Sequence, residues 1–175
     1  MDLDALISAI RRYPIGERAT LQKNVERLLL KLTMKNRIID IAILNDPKMP
    51  AALGTFASQI DYSRGETLRI VAGVETIRVV IDEKNLDKLR RIIPKENIKK
   101  VVHGLAEIIV SLSEVAEKTP GVVSTVTTEL AMNGINMMEF MSCVPELVIV
   151  VDEADALRSY ESLQGLSMAR PQPTQ

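Results

Sequence analysis

The sequence holds one cysteine, one histidine and no tryptophan, with three tyrosines and two phenylalanines, in 175 residues. With Cys143 alone no intrachain disulfide can form, a usage that fits a reducing compartment. One His and one Cys among scattered carboxylates make no metal-ligand pattern, so no metal or other cofactor is expected. Long apolar runs are also missing, and none reaches the roughly 18 residues that cross a bilayer. The first fifteen residues carry Asp2, Asp4, Arg11 and Arg12 without a continuous apolar stretch, and do not read as a signal peptide. A cytoplasmic protein with no membrane association is expected. Nor is there an excess of either charge: 22 basic residues against 23 acidic ones leave −1, which gives no electrostatic reason for nucleic-acid binding. What is present is aliphatic. Hydrophobic residues make up 46% of the chain but aromatics only 3%, so the core must be filled by Ile, Leu, Val and Met.

The informative feature is internal. Displaced by 70 residues, the chain matches itself: Ile38-Ile39 falls on Ile108-Ile109, Lys48 on Lys118, Pro50 on Pro120, Val79-Val80-Ile81 on Ile149-Val150-Val151, and Asp82-Glu83 on Asp152-Glu153. The shared register carries periodicity as well as identity. In copy two, Glu107 to Ser113 reads as a buried strand. Thr119 and Pro120 then read as the cap and first position of a helix with Val122, Val126 and Leu130 on its stripe. Asn133-Gly134 ends that helix, Ile135 to Cys143 and Glu146 to Val151 read as strands, and a last helix runs from Asp152 or Glu153 to near Gly165. Copy one repeats the order with a strand at 37–44, a helix at 50–60, strands at 67–72 and 76–81, a helix at 86–92 and a further strand at 98–102. No strand equivalent to that last one follows Leu166, so copy two must leave a sheet position empty or borrow a strand.

These residues resemble a known family. Lys118-Thr119-Pro120-Gly121-Val122-Val123, Asn133-Gly134-Ile135-Asn136 and the closing Leu147-Val148-Ile149-Val150-Val151-Asp152 look like the ACT domain, and the tandem arrangement is similar to the regulatory region of aspartokinases. The resemblance covers residues 35–166. It implies an α+β fold of two ferredoxin-like βαββαβ units at 35–104 and 105–166, and the residues on either side read by themselves as an N-terminal helical segment at 1–34 and a disordered tail at 167–175. It also implies an effector site beneath the loop from first strand to first helix, where helix amides receive a carboxylate and a residue without Cβ allows close approach. On that pattern the copy-two candidates are Glu114, Thr119, Gly121, Val122 and Asn136. Glu114 either receives an amine or is simply an exposed loop carboxylate. In copy one Ala51 replaces the glycine, and Asp46 stands in as the amine partner.

The N-terminal segment has two amphipathic stripes, one through Leu3, Leu6, Ile7 and Ile10 and one through Leu21, Val25, Leu28, Leu29 and Leu32, separated by Pro14 and Gly16. Arg11, Arg12, Arg18, Lys23 and Arg27 allow a DNA-binding reading, but no third helix supports it. His103 has no nucleophile or orienting carboxylate at motif spacing, and the paired acids 82–83 and 152–153 read as helix-start charges. The expectation is a noncatalytic regulatory protein, homo-oligomeric, sensing a small amino acid and acting on an enzyme or regulator partner. Its alternatives are a transcriptional regulator with an N-terminal DNA-binding segment and a ligand-free assembly subunit.

Overall fold

The computed structural model describes residues 27–168. The first N-terminal stripe, Leu21 and Val25 of the second and the tail from 169 lie outside the described residues. The architecture is α+β. Six strands form one antiparallel sheet: β1 (Leu29–Leu44), β2 (Leu68–Ala72), β3 (Thr76–Asp82), β4 (Ile98–Leu112), β5 (Met137–Cys143) and β6 (Glu146–Asp152), in the order β2-β3-β1-β4-β6-β5. Helices α1 (Met49–Ala57) and α2 (Leu86–Ile92) belong to copy one, α3 (Val122–Met132) and α4 (Ala156–Met168) to copy two.

β1 and β4, of 16 and 15 residues, pair along most of their length and serve both copies. In copy one, Ile38–Leu44 is the first strand and the start of β4 the last. In copy two the roles reverse. The end of β4 pairs with β6 from Leu105 to Ser111, while Leu29 to Lys35 pairs with the other side of that segment, from Leu112 to Glu107. The sheet position that copy two could not fill from its own residues is thus supplied from the other end of the chain.

Residues 29–34 are therefore strand where the apolar spacing predicts helix. The reason lies in a register shift between Leu29 and Lys31. A bulge adds one residue, so Leu29 and Leu32, three apart, reach the same face. Leu29 is fully buried in the copy-two core, with Leu28 and Leu32 packed against it. In a short segment that spacing is indistinguishable from a helical stripe.

Each copy covers one sheet face with its two helices. Ile39, Ile41 and Ile43 meet Met49, Leu53 and Phe56 of α1 and Leu86 and Leu89 of α2. Ala106, Ile108 and Val110 meet Val122, Val126 and Leu130 of α3 and Leu163 of α4. The α3 residues are β-branched at many positions, which lowers intrinsic helix propensity, and this packing is what holds them helical. Helix bounds shift slightly from expectation: α1 ends at Ala57, and α4 runs through Gly165 to Met168.

The other sheet face is buried too. Ile38, Val80, Leu105 and Val150 form a third core cluster with Val102 and Met141, joining strands of both copies. The two halves of the sheet curl toward one another. Arg37, at φ 57°, and Gly104, at φ 69°, lie beside the Ile38–Leu105 pairing where the long strands change direction. Polar groups line this interior. Arg78 Nη2 pairs with Asp40 of β1 and, at 2.8 Å, with Glu139 of β5. Arg69 Nε meets Glu107 Oε1 at 3.0 Å, and Thr67 Oγ1 donates to Glu107 Oε2 at 3.0 Å. Asp82, expected only to charge a helix start, instead receives Lys35 Nζ at 2.7 Å and the Thr67 amide at 2.7 Å. Its repeat partner Asp152 does serve the expected role, accepting from the Ala154 amide at 2.9 Å.

Two predictions follow from this packing. Leu29→Ala should destabilise by about 2–5 kcal/mol, the range for emptying a buried aliphatic site, and Leu30→Ala, at an exposed position, by less than about 0.5 kcal/mol, as urea unfolding will read. Arg78→Met should cost about 3 kcal/mol near neutral pH, because it strands two carboxylates. Burial already raises the Asp40 carboxyl above its ordinary range, with Arg78 opposing. The folded variant therefore binds a proton that the unfolded chain gives up, and its deficit should shrink between about pH 7 and pH 4.

Candidate functional site

β4 leaves the sheet at Leu112. The next residues are the loop where the effector site was expected, and they form a short 3-10 turn, Glu114–Lys118, before Gly121 and α3. The Thr119 hydroxyl does not cap α3; it donates back to the Val115 carbonyl at 2.8 Å. Gly121 precedes the helix at φ 89°, so Thr119-Pro120 lies outside the helix and its first residue is Val122. No side chain caps α3, and its first helical bond runs from the Thr125 amide to the Gly121 carbonyl at 2.8 Å. The amides of Val122, Val123 and Ser124 accordingly have no intrahelical acceptor.

Beside this turn lies a cavity of about 610 Å³, within the range of small-molecule sites. Its walls come from three elements: the end of β4 with the 3-10 turn, the first turns of α3, and the β5–β6 hairpin, which contributes Ser142 of β5, Val144 of the connection and Leu147 of β6. Leu112, Ala116, Val122 and Leu147 are the buried members of the lining. The polar members are Glu117, Thr119, Ser124, Thr127 and Ser142, and Glu117 is the charged residue among them.

Of the seven expected residues, Thr119, Gly121 and Val122 line this cavity. Glu114 is exposed on the turn and is not part of the lining. Asn136 is also exposed and outside the lining, its Nδ2 lying 3.6 Å from Met138 Sδ. Asp46 and Ala51 belong to the corresponding corner of copy one. There Asp46 Oδ1 accepts from the Lys48 amide at 2.9 Å, which commits that carboxylate to closing its own turn, and Ala51 is exposed on α1. Sequence reasoning missed Glu117, Ser124, Thr127 and Ser142. A helical turn in the loop was the absent signal, since it buries Ala116 and sets Glu117 next to it. Ser142 comes from the far side of copy two and had no local signature.

Among the described residues no helix is long and apolar enough to cross a membrane, and no group of three or more His, Cys, Asp or Glu side chains is placed to hold a metal ion. No protein-family model and no curated protein sequence matches this chain. Solved structures do match. The aspartate kinase of Clostridium acetobutylicum, described as an allosteric enzyme, superposes with a TM-score of 0.65 at 17% identity, over 79% of this chain and 35% of that one. The ligand-free regulatory subunit of aspartate kinase from Thermus thermophilus gives 0.63 at 13% identity, over 79% of this chain and 97% of the subunit. E. coli aspartokinase III in complex with lysine and aspartate gives 0.56 at 14%, over 81% and 33%. This chain thus spans about a third of the two enzymes and nearly the whole of the regulatory subunit. The fold is that of the ACT-containing regulatory domains of aspartate kinases, as the resemblance in the sequence implies.

The geometry at Gly121 yields a separable prediction. A Cβ added there meets no atom within 4 Å, so the cost of Gly121→Ala is the left-handed backbone alone. A loss of about 1–2 kcal/mol in unfolding free energy is expected, with the circular dichroism spectrum unchanged.

Proposed function

We propose, from a fold shared with the regulatory domains of aspartate kinases, that this chain is a noncatalytic regulatory protein whose copy-two cavity binds a small amino acid. The observation that carries the reading is the cavity itself. It lies at the strand-to-helix corner where the resemblance places an effector, and it joins a carboxylate, four hydroxyls and uncapped helix amides to a buried apolar lining. Asp46 is already used in its turn and Ala51 takes the glycine's place, so copy one serves as the structural counterpart.

Two neighbours support the wider reading. One is a regulatory subunit in its own right, and another was solved with lysine and aspartate bound. On this reading the protein is cytoplasmic, self-associates, and acts on an enzyme partner. Its ligand biases one arrangement of the assembly by binding it more tightly than another.

A thermal-shift screen against the twenty amino acids tests the proposal. One ligand at about a hundred times its Kd should add about 2.7 kcal/mol of stability and raise Tm accordingly. Val123→Trp, which fills the cavity from a half-exposed position on its lining, should abolish that shift. A panel that leaves Tm unmoved at about 10 mM ligand would overturn the reading.

A further inference from the structure

The composition of the cavity wall selects among amino acids. We infer that the copy-two cavity takes an aliphatic α-amino acid with a neutral side chain, of the valine, leucine, isoleucine or methionine class, and discriminates against acidic and basic ones. This rests on the reading of the cavity as an amino-acid site.

The reasoning is one of charge and placement. Leu112, Ala116, Val122 and Leu147 are each at most 6% exposed, so the least exposed part of the lining is hydrocarbon. The groups able to meet a zwitterion are on the more exposed members: Glu117 for an ammonium, and the hydroxyls of Ser124 and Ser142, with the α3 amides, for a carboxylate, the Thr119 and Thr127 hydroxyls already donating to the Val115 and Ser124 carbonyls. A zwitterion satisfied at that level sends its side chain toward the apolar wall. No lysine or arginine lines the cavity, so a side-chain carboxylate placed there finds no cation. A side-chain ammonium finds no second acid, because Glu117 is the acidic residue of the lining and is engaged by the α-amine. An unpaired charge against hydrocarbon is strongly disfavoured, whereas each methylene added to a neutral side chain gains affinity.

Within the neutral series a hydrophobic pocket separates ligands that differ by one methylene by roughly tenfold or more. The volume of about 610 Å³ leaves room for all four side chains, so the order among them follows fit to Val122 and Leu147 rather than exclusion.

Isothermal titration of the full chain with leucine, isoleucine, valine, methionine, lysine and aspartate tests this. The expected result is binding of the neutral series, with lysine and aspartate weaker by more than about a hundredfold. Glu117→Gln, a substitution at an exposed position, should weaken every neutral ligand by about fivefold and leave the Tm of the free protein unchanged. Lysine or aspartate binding as tightly as leucine, and blocked by Val123→Trp, would overturn the selectivity while leaving the amino-acid site standing. Binding of the neutral series undiminished by Val123→Trp or Glu117→Gln would also overturn it. Silence across the whole panel would remove both this inference and the reading beneath it.

Discussion

The pairing of β1 with β4 is the constraint on which the rest of the structure depends. Two strands of about fifteen residues run antiparallel through both copies, and each supplies a first strand to one copy and a last strand to the other. Copy one completes four strands from its own residues, whereas copy two takes its fourth from Leu29 to Lys35, ahead of copy one in the chain. A duplicated unit would ordinarily be expected to fold as two bodies joined by a linker, but here the joining segment is the centre of the sheet. His103-Gly104 is not a linker: Gly104 is where one continuous strand turns from the first sheet half into the second. The two halves have separate ladders but share the continuous strands β1 and β4 through the Ile38–Leu105 pairing, which ties the stabilities of the two copies together.

Curling the sheet at Arg37 and Gly104 buries its second face, and that face holds more charge than a hydrophobic interior usually does. Asp40, Asp82 and Glu107 are all nearly or fully buried there. Hydrocarbon of the same shape would stabilise as well or better, because desolvation offsets most of the attraction in an ion pair. What the charges add is a fixed relation between the halves. Glu107 of β4 accepts from Thr67 and from Arg69 of β2, and Arg78 of β3 reaches Glu139 of β5, so a shift of one half over the other would leave several charges unpaired. The apolar cluster of Ile38, Val80, Leu105 and Val150 has no such directional demand.

Much of this was legible in the residues. The displacement of 70 places β3 at Thr76–Asp82 and β6 at Glu146–Asp152, in step along their whole length, and both helix-opening turns follow directly. Periodicity and repetition agree wherever an element meets its own copy's core. The failures in the sheet share one physical cause, contact with residues far along the chain. Leu29 to Lys35 read as helix because a bulge imitates helical spacing, and only its partner on β4 reveals the strand. Asp82 and Asp152 occupy equivalent repeat positions, each followed by a glutamate, yet Lys35 draws one into the interior while the other stays at a helix start. At the cavity, Gly121 and Val122 came from the family pattern, but Glu117 and Ser142 meet there only through the 3-10 turn and the β5–β6 connection.

The same long-range connections set what a ligand in the cavity can influence. The Leu112 amide, at the cavity wall, donates to the Pro145 carbonyl at 2.7 Å, and the neighbouring Ser113 amide donates to the Leu28 carbonyl at 2.9 Å. One residue thus binds the β5–β6 connection and the next binds the segment entering β1. Leu28 leads into Leu29, whose strand continues through its bulges to Ile39 and the core of copy one. A ligand that draws the β5–β6 connection toward α3 therefore acts on an element fixed to β1 through two adjacent hydrogen bonds. Such a ligand shifts the relation of the two copies only if it binds one arrangement better than the other. The interior ion pairs oppose any such shift, because sliding one half over the other would leave several of their charges unpaired.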